Sequence, residues 1–417
     1  MLDIKLIRDE PDVVKRALGK RAADPSLVDA VLDVDARRRK AQARADEMRA
    51  EQKKRSGDVA KTQGDDKKTL LASLKQMSDE ITGLDEQQRG LESEQRDLLL
   101  RIPNITADEV PAGGEENNVE IARWGEPRAF GFEPRDHLDI GEGLDAIDIE
   151  AGAKVSGSRF AFLRGAAVRL WLGVKQLALQ TLIEQGHVPV LPPVLVRREA
   201  MEGTGFFPAA EDQIYLLEKD ELYLVGTSEV PLAAMHMNET LDTLPLRYVA
   251  HSACFRREAG AAGKDTRGIF RNHQFEKVEM FVFTRPEASW AEHERLVAIE
   301  ESFLQTLGIP YRAVVLAAGD TGAPSAKTVD LECWFPGQTT YRETTSCSNT
   351  TDYQARRLNV KMRGPDGLEP VHTLNGTVAT SSRTIAALLE NYQRADGGID
   401  VPDVLRPLVG VDRFDPR

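Results

Sequence analysis

The chain has little cysteine and no long apolar run. Its three cysteines, Cys254, Cys333 and Cys347, form no CxxC pair. This argues against a disulfide scaffold and a paired-cysteine zinc site, and it fits a reducing compartment. No stretch of about 18 apolar residues occurs, so no membrane span is expected. The opening MLDIKLIRDEPD carries acids where a secretory leader needs a basic and then an apolar stretch, so a cytoplasmic protein is expected. Proline is absent from Ser26 to Ile102. Positive charge is in deficit, 54 Lys+Arg against 67 Asp+Glu, a net of −13. An acidic chain binds a polyanion only through a local basic patch. Common catalytic signatures are missing too. There is no HExxH, no GxSxG and no GxxxxGK[ST], and Gly260 to Lys264 has the wrong spacing for the last. The seven histidines do not cluster as a metal site, and His251 with Cys254 reads as a packed strand and its turn.

What is present divides the chain in two. Hydrophobic residues make up 41% and charged residues 29% of 417, enough for one large core and an appendage. Two elements punctuated by Pro11 and Pro25 come first. Leu70, Leu74, Met77, Ile81, Leu84, Leu91 and Leu98 then follow a 4,3 spacing, with Gln88 and Gln95 in its two gaps. Upstream, Leu27, Val31, Val34, Ala41, Ala45 and Met48 keep the same spacing, broken by Arg38. With the polar turn Lys61–Asp66 between them, these seams predict an antiparallel helical coiled coil over about 27–100. One stretch of it is basic: Arg37, Arg38, Arg39, Lys40, Arg44, Arg49, Lys53, Lys54, Arg55 and Lys61 face four acids. A solvated helix face and a phosphate-binding face both account for such a run.

Beyond Pro103 the chain is loop-rich and acidic to about 155, with Pro111–Asn118 (PAGGEENN) reading as an exposed linker. Gly141 to Ala146 matches GxGxxA but follows no buried strand, so we reject a dinucleotide site. Strands are expected at 213–217, 222–225, 247–255, 274–284, 311–316 and 328–335, with an edge strand in His187–Val194. Helices are expected at 165–185, 287–307 and 381–392. Consecutive strands favour an antiparallel sheet in an α+β fold flanked by helices.

The chemistry concentrates in the strand-rich part. Arg256, Arg257 and Glu258 precede a Gly/Ala loop, and Arg271, Phe275, Lys277 and Glu279 follow it. Alternation puts Phe275, Lys277 and Glu279 on one face of the returning strand. Buried arginines and carboxylates facing one cleft are costly unless they bind something charged. Arginine suits phosphate, an aromatic ring suits a base, and a carboxylate suits an ammonium group. Glu343 and Ser346 offer the hard oxygens that Mg²⁺ takes alongside phosphate. Arg383 opens a helix, a second anion-friendly place.

FRREAGAAGKDTRGIFRNHQFEKVE (255–279) resembles motif 2 of the class II aminoacyl-tRNA synthetases in the form used by seryl-tRNA synthetases. Gly186–Pro193 resembles motif 1, and NGTVATSSRTIAALLENYQ (375–393) resembles motif 3. Gly226–Val230 resembles the serine-site loop, and the basic helical arm resembles the family's tRNA-binding arm. The likeness runs over nearly the whole chain. It implies an N-terminal tRNA-binding domain at 1–103 and a class II catalytic domain at 104–417.

By this resemblance, Thr227, Ser228, Glu229, Arg256, Glu279, Asn375 and Thr377 bind L-serine, with Glu279 taking its ammonium. Arg256, Arg257, Glu258, Arg271, Asn272, Phe275, Glu343, Thr344, Thr345, Ser346 and Arg383 bind ATP. Arg256, Glu279 and Arg383 carry the catalytic roles, and Glu343 with Ser346 carries Mg²⁺; no zinc is implied. Arg37, Arg38, Arg39, Lys40, Arg44, Lys53, Lys54 and Arg55 form the arm's tRNA face. The partners implied are tRNA(Ser), tRNA(Sec) and a second copy of the chain, with no membrane. Asn272, Thr344, Thr345 and Thr350 depart from the family's usual pattern. They leave open a paralogue tied to antibiotic production or resistance, or one passing serine to an acceptor other than tRNA.

Overall fold

The structure is a computed structural model that describes residues 1–259, 265 and 267–417. The Gly/Ala loop at 260–263 and Lys264 lie outside the described residues. The chain separates into two compact units, Leu2–Pro103 and Asn104–Arg417 with Met1.

The first unit is helical. Helices α1 (Ile4–Asp9) and α2 (Pro11–Lys20) precede two long ones, α3 (Ser26–Ser56) and α4 (Gly64–Arg101), packed against each other. At about 1.5 Å per residue α4 spans roughly 55 Å. The break comes slightly earlier than the expected turn, because α4 already begins at Gly64, which sits at φ +67°. Val31, Val34, Ala41, Ala45, Met48, Ile81 and Leu91 are buried along the seam. The two glutamines in its gaps bond across it. Gln88 Nε2 donates to Gln42 Oε1 at 2.7 Å, and Gln95 Nε2 donates to Asp35 Oδ1 at 3.0 Å. Asp35 was not anticipated. Its side chain is fully buried and also receives Arg8, Arg38 and Arg39.

The second unit is built on an eight-stranded sheet. We label its strands β1 (Val119–Trp124), β2 (Val188–Val190), β3 (Leu246–Phe255), β4 (Gln274–Thr284), β5 (Tyr311–Val315), β6 (Lys327–Phe335), β7 (Thr340–Thr351) and β8 (His372–Thr380). Their order is β1-β5-β6-β7-β8-β4-β3-β2. Every pairing is antiparallel except β2 with β3 at the edge. Helices α5 (His137–Gly143), α6 (Gly165–Glu184), α7 (Ser289–Thr306) and α8 (Arg383–Asn391) flank it. Val278, Met280 and Val282 on β4 enter the main apolar core with Leu170 and Val174 of α6. Phe281 and Phe283, of opposite parity, enter a separate core. Among the described residues, no helix is long and apolar enough to cross a membrane.

Three expectations need correction. Strands β7 and β8 were not expected as strands, because 341–349 was read only as a hydroxyl cluster. Residues 340–351 carry polar side chains on both faces, so they lack alternation, although their threonines favour extended backbone. Pro111–Asn118, expected as an exposed linker, is exposed at Ala112 and Glu115–Asn117 but is tied to the segment after β5. Ala318 N donates to the Pro111 carbonyl at 2.8 Å, and Ala317 N donates to Asn118 Oδ1 at 2.8 Å. It leads into β1, an edge strand that was also missed because its six residues are all exposed. Gly141 lies inside α5, which agrees with the rejected dinucleotide motif.

Asp35→Ala would leave Arg8, Arg38 and Arg39 without their shared carboxylate. A loss of about 1–3 kcal/mol is expected in the first unit, readable as an earlier transition in chemical denaturation of the full chain.

Candidate active site

One cavity of about 530 Å³ opens on the β4, β7 and β8 part of the sheet. The elements that line it come from distant parts of the sequence, and strand register sets their neighbours. Lys277 on β4 opposes Thr380 on β8, and Glu279 opposes Thr377 after a bulge between Val278 and Glu279. Asp330 on β6 opposes Ser346 on β7. Arg383 follows β8 as the first residue of α8.

At one end of the cavity lie Thr227, Glu229, Lys277, Asn375 and Thr377. Glu229 opens the short helix Glu229–Ala234 and is buried. Burial and the neighbouring Glu279 push its carboxyl up to about 7, against the pull of Gln354, Lys277 and Arg256. Gln354 Nε2 donates to Glu229 Oε1 at 2.6 Å. Lys277 Nζ reaches Glu279 Oε1 and Thr227 Oγ1, both at 2.8 Å.

At the other end, Arg256, Glu258, Phe270, Arg271, Asn272, Phe275, Glu343 and Arg383 line the wall. Arg256 Nε donates to the Gly226 carbonyl at 3.2 Å, and its guanidinium lies 5.3 Å from the Phe275 ring centre. Arg271 pairs with Glu258 at 2.7 Å and with Asp265 at 3.5 Å. Arg383 pairs with Glu343 at 2.7 Å. Glu343 is 46% exposed. Desolvation in the cavity opposes its charge, but Arg383, Arg256 and Arg271 outweigh this and hold its carboxyl below the ordinary value. Buried Asp330 is pushed well up by burial and by Glu343, and its Oδ1 lacks a hydrogen-bond partner among the described residues.

Most of the expected residues therefore meet in one place: Thr227, Glu229, Arg256, Glu258, Arg271, Asn272, Phe275, Glu343, Thr344, Thr345, Ser346, Asn375, Thr377 and Arg383 all line the cavity. Three do not. Ser228 is fully buried and bonds Ser252 Oγ at 2.9 Å, because the helix start turns it opposite to its neighbours. Arg257, past the end of β3, is exposed over the Tyr215 ring, and its amide donates to the Gln213 carbonyl at 2.8 Å. Glu279 lies behind the wall with its oxygens already taken. Thr227 Oγ1 donates to its Oε2 at 2.6 Å, Glu229 N donates there at 3.2 Å, and Asn375 Nδ2 approaches its Oε1 at 3.5 Å.

Residues that carried no expectation also line it, chiefly Phe270, Asp330 and Thr380. Phe270 lies between two guanidiniums, with Arg342 at 4.1 Å and Arg383 at 4.8 Å from its ring centre. Only tertiary structure brings these three together. Lys277 and its partner Glu279 were legible as sharing a strand face with Phe275, but nothing local marked the contact of Lys277 with Thr227. On the arm, Arg37, Arg38, Arg39, Arg44 and Arg55 each pair with nearby acids. Lys40, Lys53 and Lys54 are exposed and show no ion pair among the described residues. No group of three or more His, Cys, Asp or Glu among the described residues could hold a metal.

The approach to β4 is pinned by His137. Ile269 N donates to His137 Nε2 at 3.2 Å, so Nδ1 carries the hydrogen and donates to Glu390 Oε1 at 2.9 Å. Gly268 sits at φ +78°, and a Cβ there would lie 2.1 Å from His137 Nε2. Gly268→Ala is expected to cost about 2–4 kcal/mol from backbone strain and overpacking together, read as a lowered midpoint of thermal unfolding.

The geometry agrees with what similarity shows. Residues 215–392 match the tRNA synthetase class II core domain (G, H, P, S and T), and residues 1–106 match the Seryl-tRNA synthetase N-terminal domain. The chain is 49% identical to the serine–tRNA ligase of Acidothermus cellulolyticus, covering 100% of both chains. It is 48% identical to that of Thermobifida fusca, covering 100% of this chain and 99% of the other. Among solved structures, it is similar to the seryl-tRNA synthetase of Pyrococcus horikoshii complexed with ATP (TM-score 0.96, 42% identity, 100% of both chains). It is also similar to the cytoplasmic serine–tRNA ligase of Naegleria fowleri in complex with AMP (TM-score 0.90, 36% identity, 100% and 99%). Full-length likeness at this level, joined to a cavity lined by the residues of motifs 2 and 3, makes this chain a member of the seryl-tRNA synthetase family of class II aminoacyl-tRNA synthetases.

Proposed function

We propose that this chain activates L-serine with ATP, forming seryl-adenylate and pyrophosphate, and then transfers serine to the 3′-terminal ribose of tRNA(Ser). The observation that carries this reading is a cavity with carboxylates and hydroxyls at one end and arginines around an aromatic ring at the other. Serine's carboxylate is ionised at neutral pH, so its attack on the α-phosphorus needs no general base. Catalysis then consists of positioning and charge stabilisation.

Roles follow from the chemistry of each side chain. Arg256 spans the Gly226 carbonyl and the Phe275 ring, which suits contact with the α-phosphate where amino acid and nucleotide meet. Phe275 offers a face for adenine, with Glu258 and Asn272 beside it. Arg271 and Arg383 take the outer phosphates, exchanging the carboxylates they now hold for phosphate oxygens. Asn375 and Thr377 meet the serine hydroxyl, so alanine and glycine would leave buried polar groups unpaired and be rejected. Glu343 and Ser346 are hard oxygen donors in the cavity, and the orphaned Asp330 Oδ1 lies across the strand from Ser346. That set fits Mg²⁺, which completes its shell with water and phosphate. When bound, the metal neutralises charge developing on the phosphates.

The unpaired Lys40, Lys53 and Lys54, with the arginines of the same helix, support a tRNA face on the arm. We extend the acceptor to tRNA(Sec) and the setting to the cytoplasm, where the three buried free thiols would persist. Full-length similarity to serine–tRNA ligases does not favour the paralogue readings.

Serine-dependent ATP–pyrophosphate exchange should occur, together with charging of total tRNA by labelled serine. Exchange without charging would redirect the second step to another acceptor. No exchange with serine from folded protein would end the enzymatic reading. We also infer a homodimer. Leu172, Ile183, Val188 and Leu191 are 50%, 47%, 56% and 84% exposed on and around α6 and β2, an apolar set that suits burial against a second copy. Sedimentation should then give twice 46.2 kDa, and a monomer at micromolar concentration would refute this.

A further inference from the structure

Asn104 opens the Asn104–Arg417 stretch of the second unit and is buried, 4% exposed. A buried amide is tolerable only when its donors and its acceptor are paired. Those of Asn104 are. Its Nδ2 donates to the Pro324 and Thr350 carbonyls, both at 2.9 Å, with Thr351 Oγ1 at 3.1 Å, and its Oδ1 accepts from Ile105 N at 2.9 Å. Its backbone N donates to the Ala323 carbonyl at 2.8 Å. Gly322, Ala323, Pro324 and Ser325 line the cavity, while Asn104 and Thr350 are not among the lining residues. Asn104 therefore ties that wall, from behind, to the end of β7.

Two routes lead from Asn104 to the amino-acid end. The first runs through Thr350, Thr373 and Gln354, all buried. The hydrogen of Thr373 Oγ1 goes to Gln354 Oε1 at 2.8 Å. That of Thr350 Oγ1 is shared between the Thr373 carbonyl at 2.8 Å and Thr373 Oγ1 at 2.5 Å. The two hydroxyls hold the oxygen of the Gln354 amide, which presents its nitrogen to Glu229 Oε1 at 2.6 Å and to the Thr204 carbonyl at 3.1 Å. The second route is the wall itself. A Cβ on Gly205 would meet Pro324 Cβ and Tyr353 Cε1, both at 3.3 Å. The routes thus converge on neighbouring residues, Thr204 and Gly205, and Gly205 and Glu229 both line the cavity.

We propose that Asn104 is a positioning residue for the serine end of the cavity, acting through Thr350, Thr373 and Gln354. The inference rests on serine activation as the function of this cavity. Buried polar networks hold one arrangement when every member is satisfied, and lose it when one donor is removed. Thr350, one of the four departures from the family's usual pattern, supplies such a donor. The guanidiniums of Arg256, Arg271 and Arg383 bond other partners: the Gly226 carbonyl, Glu258 and Glu343. Loss of the network is therefore felt by serine and much less by ATP.

The test is serine-dependent pyrophosphate exchange by the full chain for wild type, Asn104→Ala, Thr350→Val, Thr350→Ser and Asn104→Ala/Thr350→Val. Valine keeps the outline of the threonine side chain and lacks the hydroxyl, which serine restores. Asn104→Ala and Thr350→Val should each raise the KM for serine at least about fivefold and change the KM for ATP less than about twofold. Thr350→Ser should stay within about twofold of wild type in the KM for serine. Because both residues act through one chain, the double variant should exceed the worse single variant by less than about twofold, instead of multiplying the two effects. Equal effects on both substrates, no recovery with Thr350→Ser, or multiplied effects in the double variant would overturn the proposal. If Asn104→Ala does not fold, Thr350→Val against Thr350→Ser decides it through the split between the two KM values. Wild-type protein that shows no exchange would instead overturn serine activation, and this inference with it.

Discussion

The pairing of β4 between β3 and β8 is the constraint on which the rest of the catalytic unit depends. Side chains on a strand alternate, so one register sorts eleven residues into two environments. The odd positions send Phe275 and Lys277 to the cavity, Glu279 just behind it, and Phe281 and Phe283 into one core. The even positions send Val278, Met280 and Val282 into the other core. At the end of that face Glu276 bonds Trp171 Nε1 at 2.6 Å and His251 Nε2 at 2.7 Å, which brings its carboxyl down to about 2. A slip of one residue would bury Glu276 among ligands and put Lys277 into an aliphatic core. The bulge after Val278 brings Glu279 opposite Thr377 rather than Val378. Bulges commonly re-aim side chains beside active sites in this way.

The second theme is that three of the four cations lining the cavity among the described residues are already paired with carboxylates. Arg271 holds Glu258, Arg383 holds Glu343, and Lys277 holds Glu279. These pairs differ in how far they are buried. The Glu279 carboxylate is fully buried, while that of Glu343 is 46% exposed. The guanidiniums of Arg271 and Arg383 are thereby held in position within the cavity. Such a site loses little by reorganising, which is the condition under which fixed charges stabilise a transition state best. Phe270, flanked by Arg342 and Arg383, adds a neutral surface that limits where those guanidiniums can move.

Much of this was legible from local pattern, and the failures have physical reasons. The helices near 165–184 and 289–306 and the strand 274–284 carry strong apolar periodicity, and the structure places them within two residues of expectation. Strands β7 and β8 carry no such signal, because their polar residues face the cavity on one side and buried polar partners on the other. Thr350, for example, donates to the Thr373 carbonyl at 2.8 Å inside the sheet. The motif residues could be gathered by resemblance, but their orientation could not. Ser228 and Arg257 lie beside cavity residues in sequence and turn away from the cavity in space, Ser228 at a helix start and Arg257 past the end of β3. Asp330 and Phe270 were invisible for the opposite reason, since their neighbours come from strands and loops far along the chain.

The arm shows how the same principle works in a helical setting. Apolar residues at the seam of a coiled coil supply stability but tolerate sliding by a heptad, because one leucine layer resembles the next. Polar residues at chosen seam positions remove that freedom. Gln88 finds Gln42, and Gln95 finds Asp35, only in the register observed. A shift of seven residues one way would set Asp35 against Ile102, and the other way would set Asp35 against Gln88 and Gln42 against Ile81, so neither keeps both polar pairs and each leaves a seam polar group facing an apolar side chain. The gaps in the heptad pattern, which weaken the seam as a hydrophobic surface, therefore specify which antiparallel alignment forms. This also fixes the basic face. Arg37, Arg38 and Arg39 stand within one turn of Asp35, so the contact that sets the register also sets where on the arm these guanidiniums are presented.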